Sequence, residues 1–321
     1  MKRTAKIIII TAAIIIVVGA VAFCGFMAVN HWDFSVLGIN EYQTRTVAIE
    51  EGFGNISIDC GTEDVFVLPS ENGKCSVVFY EPENEKHLVL VEKDTLSVTR
   101  TDTKKWYERI LLSSSKNQSI TLYLPHPTYA ALLIKNSTGD ITLPEGFTFE
   151  SVDISADTGN IECCSSASGL ISIKNDTGGI RCENISAAEI NIDVSTGGVD
   201  MYSVFCTKNM KINAETGKIF LTDVSCKNIV STASTGDITL ENAVASGSVT
   251  IKRSTGDVIF KQSDAAELNV KTDTGDVTGS LMSDKFFIAK SKTGKVDVPE
   301  TTSGGKCRIT TNTGDIAITV S

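Results

Sequence analysis

Residues 132–143 read LLIKNSTGDITL, and seven of them, STGDITL at Ser137–Leu143, return unchanged at Ser234–Leu240. The Thr-Gly pair at their centre recurs ten times, with turn glycines Gly139, Gly159, Gly178, Gly197, Gly217, Gly236, Gly256, Gly275, Gly294 and Gly314. The intervals are 20, 19, 19, 20, 19, 20, 19, 19 and 20 residues. A period this constant marks a stacked repeat.

Numbering each copy from its Thr exposes the side that is buried. Position +3 is Ile or Val in all ten copies, from Ile141 to Ile316, and position −6 is always apolar, from Leu132 to Cys307. Position −4 is Ile or Val except at Ser231 and Ala289, and +5 is apolar except at Gly279. Position −3 is never a large apolar residue and is Lys in five copies. Alternation with period two means β-strand. Positions −4 and +3 are an odd number apart, so one unbroken strand would aim them at opposite faces. A corner must intervene, and Gly reaches the φ > 0 that it demands. The one-residue length variation then falls between +5 and the next −6, in stretches such as SSASG and DAAE. A lone coil cannot shield its inward side chains, so neighbours must stack above and below, about 4.8 Å apart. The pattern predicts an all-β chain: a parallel β-solenoid of about ten 19–20-residue coils over 132–321.

The opposite end is of another kind. Residues 7–29 are 23 positions without a charge, thirteen of them Ile, Val or Phe. As a helix they span roughly 34 Å, against a hydrocarbon core of about 30 Å. Lys2, Arg3 and Lys6 precede the span, and Asp33 and Glu41 follow it. The positive-inside rule puts residues 1–6 in the cytoplasm and everything after the span outside, at the cell membrane. A cleaved signal peptide has a shorter apolar region. A lipoprotein signal ending at Cys24 would want a small residue where Phe23 stands.

Residues 30–43 read as a linker. Over 44–131, alternating runs such as NISIDC, DVFVLP, HLVLVE and SITLYL lack the 19-residue period and predict an antiparallel β unit that caps the first coil. Inside it, KKWYERILL (Lys104–Leu112) carries Trp106 and Tyr107, either as a cover for the core end or as an aromatic contact patch. The strand DIAITV, ending at Val320, leaves a sheet edge that either folds over or pairs with something.

Composition narrows the chemistry. The 321 residues carry 29 Lys+Arg and 39 Asp+Glu, a net charge of −10, which argues against nucleic acid. Three His leave few candidates for acid–base or zinc chemistry. Asp follows Thr-Gly in five copies, and Asp237, Asp257 and Asp276 lie in consecutive coils. They are the candidate calcium ladder, weighed against turn carboxylates that accept local backbone hydrogen bonds. Lys218 and Lys295 hold the same slot elsewhere, which favours the second reading. Cys163 with Cys182 (+5) and Cys206 with Cys226 (+10) should stack inward as free thiols. Polysaccharide-cleaving β-helical enzymes need clustered acid, base and metal-ligand residues. Here Arg181, Arg253 and Arg308 are scattered over different coils, so no catalytic residue and no cofactor is expected.

The runs VAIEEGFGNISI, EKDTLSVTR and ITLYLPHPTYAALLIKNSTGDITL, together with the repeats through NTGDIAITV, resemble a bacterial family of membrane-anchored envelope proteins catalogued as "putative adhesin". The resemblance covers about residues 44–321 and is carried by structural motifs. It implies a non-enzymatic binding or scaffold protein of the cell envelope. Its partners would be cell-wall polymer, surface glycan or a neighbouring membrane protein. Because some members sit near envelope-stress signalling systems, it also implies the alternative of an accessory protein in such signalling.

Overall fold

The computed structural model describes residues 3–29, 31–32, 42–82, 86–100 and 118–321, with helix side chains from Ile9 onward. The insert with Trp106 and Tyr107 lies outside them. Two units are distinct: one contains the helix, and the other, 44–80, 87–101 and 117–321, contains the solenoid.

The helix runs Arg3–Val29. Residues Ile9–Val29, with mean hydropathy 2.7, are long and apolar enough to cross a membrane. Its many β-branched residues are indifferent helix formers in water, but hydrocarbon offers backbone groups no other partner than the helix itself.

In the second unit each Thr-Gly copy is one rung of a parallel solenoid, and like positions pair across rungs. Ile154 meets Ile134 below and Ile173 above, and Ile173 meets Ile192. Every rung therefore lays its −6, −4, +3 and +5 side chains on those of its neighbours, and the resulting column is the core. Each Ile or Val so buried contributes about 1.5–3 kcal/mol.

A rung has three faces, one more than the two strands the pattern predicts. In the third rung they are Leu170–Thr177, Ile180–Glu183 and Ser186–Ala187. Thr-Gly makes the first corner. The second falls at +7, where Asn184, Ser203, Asp223, Asn242 and Gln262 hold φ between 47° and 54°. That left-handed conformation suits Asn and Asp but follows no single residue type, so the repeat hides it. At the third corner the ladder shifts register between Cys206 and Asn209, Cys226 and Ile229, and Ala245 and Ser248. The 19-versus-20 variation is absorbed there, inside the connection expected to hold it.

Two findings depart from a simple sequence-ordered stack. The tenth repeat is not the last rung. Strand Gly305–Thr313 pairs with the eighth repeat (Cys307 with Leu268) on one side and with the ninth (Cys307 with Phe287) on the other. Ile316–Val320 likewise lies between Val277–Leu281 and Val296–Asp297. The rung order is thus 8, 10, 9. The chain turns back through Pro299–Gly305, where a Cβ on Gly304 or Gly305 would come 1.9 Å from the carbonyl oxygen of Asp284 or Ala266. The edge expected at DIAITV is covered in part by the molecule's own ninth repeat, at Ile316 and Ala317, and Ile316 and Ile318 are buried.

The second departure lies before the repeats. Asn55–Cys60 and Glu63–Pro69 form a degenerate rung beneath the first: Ile56 pairs with Leu132, Ile58 with Ile134 and Val65 with Ile141, all parallel. Thr95–Arg100 and Gln118–Leu124 form another beneath that. Antiparallel pairing joins Cys75–Pro82 to Gln118–Leu124 and His87–Glu92 to Thr95–Arg100. These rungs escape the period because Glu63 stands where Thr-Gly has its Gly, and because residues 101–117 interrupt the lower one at the same corner.

Candidate functional site

The first-corner column is the most regular feature of the molecule. Its glycines hold φ of 125–155°, and a Cβ on Gly217 would sit 1.9 Å from the carbonyl oxygen of Gly197 one rung away. Conformation and close approach both require Gly. The Thr residues beside them are exposed along the column.

At +2 the carboxylates have a structural use. Asp237 Oδ1 accepts from the N–H of Asp257 at 3.1 Å, Asp257 from Asp276 at 2.8 Å, Asp276 from Asp315 at 2.7 Å, and Asp315 from Lys295 at 2.8 Å. The series follows the order 8, 10, 9 on its own account. Lower down, Asp64 accepts from Asp140, Asp140 from Asn160 and Asn160 from Gly179. Asn160 takes part as well as Asp, so where the slot bears a side-chain oxygen it serves as an acceptor, with or without a charge. Among the described residues, Asp237, Asp257 and Asp276 form no group of three or more that could hold a metal ion. The backbone hydrogen bond from Asp257 and the ion pair with Lys218 (3.1 Å) hold the Asp237 carboxyl below its usual range.

Inward polar residues at −2 serve the same corner. Asn175 donates to the carbonyl of Gly159 (2.8 Å), Thr272 to Gly256, Thr311 to Gly275 and Ser291 to Gly314. Arg253 is the exception: its guanidinium turns into the core and donates to Ser231 Oγ at 2.8 Å. Ser231, the break in the Ile/Val column at −4, is thereby explained. Burial lowers the Arg253 pKa to about 10.

The stacked cysteines are free and buried. Cys163 pairs with Cys182 and Cys206 with Cys226 in register. The hydrogen bond with Cys163, together with burial, raises the Cys182 thiol, and burial pushes Cys226 up to about 12. The same hydrogen bond lowers the Cys163 thiol, and all four side chains fill core positions.

A buried ionic cluster closes the corner of the degenerate rung. Glu63 Oε2 accepts from the N–H groups of Gly61 (2.7 Å) and Thr62 (2.8 Å). Its other oxygen lies 3.4 Å from His87 Nε2 and 4.0 Å from Arg100 Nη1. The His87 ring stacks on Phe79, with Arg45 over the same Phe. Burial alone would raise the Glu63 carboxyl, but His87, the Gly61 N–H and Arg100 outweigh it and hold it below 4.5. Sequence reading missed this cluster because its members lie in separate strands. At the other end of the same strands, a cleft of about 560 Å³ opens between Glu50, Glu51, Lys74 and His126 over the stacked rings of Phe53 and Tyr129.

Residues 53–319 match the family model described as Toastrack DUF4097. The chain belongs to this family. Two solved structures share the Toastrack chain's fold. A "putative adhesin" from Parabacteroides merdae is 13% identical, with 77% of this chain and 98% of the other covered and a TM-score of 0.52. One from Parabacteroides distasonis is 12% identical, with 87% and 98% covered and a TM-score of 0.50. At such identities the likeness is one of fold. No curated protein matches the Toastrack sequence.

Proposed function

We propose that this Toastrack protein is a membrane-tethered, non-enzymatic binding or scaffold protein of the cell envelope. The observation that carries the reading is the use of the repeat's reactive residues. The Asp column accepts backbone hydrogen bonds from the next rung, and the cysteines fill the core. What the rungs present to solvent is a set of polar ladders bonded to one another, such as Asn213 to Asp193, Asn228 to Asn209 and Lys261 to Glu241. Such a body offers long, fixed faces for contact. The names of the two solved relatives agree with this reading. The helix would anchor the chain, and the Lys2, Arg3 and Lys6 cluster would keep its N-terminal side cytoplasmic and the solenoid outside.

The test is capture from crosslinked membranes with the full chain as bait. Wall polymer or surface glycan would support adhesion, and a signalling membrane protein would support the accessory role. Release of new sugar ends from envelope polysaccharides by the purified protein would overturn the non-enzymatic reading.

A further inference from the structure

The reversal of the last two rungs leaves the ninth repeat at the end of the stack. Two inter-rung ladders stop there: Gly314 N–H donates to Thr293, and Ile316 N–H to Lys295. No rung follows among the described residues, so the corresponding N–H groups of Gly294 and Val296 have no next carbonyl. Phe287, Ala289 and Val298 occupy core slots yet are only half-buried, and Val296 is 44% exposed. Its outer face is also unusual. The ninth is the one repeat with large apolar residues at both −7 and −5, and these, Phe286 and Ile288, are 47% and 36% exposed. They are followed by Lys290 and Lys292, with Lys306 and Arg308 on the adjoining strand. Neither Lys285–Thr293 nor Gly305–Thr313 contains an acidic residue, in a chain whose net charge is −10.

We propose that Lys285–Thr293 is a docking edge for an extended acidic segment of another protein, which adds to it as a further β-strand. The inference deepens the binding reading and rests on it. The open ladder calls for a backbone partner, as in strand addition to any exposed sheet edge. The half-buried core residues require apolar side chains on one side of the added strand, and the cations require carboxylates on the other. A second copy joined edge to edge about a two-fold axis would set Lys290 and Lys292 against their own equivalents. A lipid surface would meet the cations and the rings but leave the backbone donors without a strand.

The full chain in detergent micelles is titrated with a labelled peptide of alternating Val and Glu, and with the same peptide carrying Lys for Glu. The Glu peptide should bind at least tenfold more tightly. K290E/K292E and F286S/I288S alter outward side chains, so folding should persist, and each should weaken binding at least tenfold. K135E/K174E, on the same face of distant rungs, should leave it unchanged. The inference is overturned if the Glu peptide does not bind, if both peptides bind alike, or if the edge variants bind normally. It is equally overturned if these variants instead abolish self-association in sedimentation or adhesion to anionic vesicles. Capture of an envelope partner on another face, with no peptide bound here, would sink the edge and leave the binding reading intact. Capture of no partner at all would count against that reading itself.

Discussion

Gly217 is constrained twice, by a φ of 154° and by the 1.9 Å that a Cβ would leave to the Gly197 carbonyl. Gly217→Ala should therefore lower stability by roughly 2 kcal/mol or more, since neither strain has room to relax between rungs. Gly52→Ala, where nothing lies within 4 Å, should stay within about 0.5 kcal/mol. Thermal unfolding of the two variants measures the difference; equal losses would contradict the corner assignment. The need for Gly was legible from the sequence, because the parity of −4 and +3 already required a turn. The use of the next residue was less so. Asp237 could serve a cation or a backbone N–H, and spacing alone does not distinguish them. The ladder through Asn160, which carries no charge, does.

Single rungs depend on pairings that no local pattern announces. Ser231 and Arg253 are 22 residues apart, yet each explains the other. Ser231→Val alone takes from a buried guanidinium its side-chain acceptor and should cost about 3 kcal/mol. Combined with Arg253→Met it should be neutral or stabilising, because well-packed apolar residues usually replace a buried charge without loss. A double-mutant cycle by denaturant unfolding measures the coupling, and additive effects would refute it. Glu63 gives the degenerate rung its pH dependence. Its pKa is lower folded than unfolded, so its contribution is present above about 4.5 and is lost as pH falls through the folded value. The melting temperature of the native chain should fall between about pH 6 and pH 3 more steeply than that of Glu63→Gln, which starts lower at neutral pH. Parallel slopes would refute the cluster's role. The alternating runs before the repeats were readable as strands. That four strands there make two further rungs was not, since Glu63 replaces the Gly that marks the period and residues 101–117 interrupt the partner corner.

Across the whole unit, the repeat reveals the stack but not its order. All ten copies obey the same rule, so nothing in their core positions says that the tenth slips beneath the ninth. The hints are Ser303-Gly304-Gly305, with two glycines packed against neighbouring carbonyls, and the large apolar residues on the outside of the ninth copy. Distances between spin labels placed pairwise at corner threonines, introduced as non-natural residues so that the nine cysteines stay unlabelled, read both the column and the order. From Thr177, the separations to Thr274, Thr313 and Thr293 should rise with rung number, to roughly 24, 29 and 34 Å at about 4.8 Å per rung. A shorter distance to Thr293 than to Thr313, or distances unrelated to rung number, would contradict the stacked corner column and its 8, 10, 9 order.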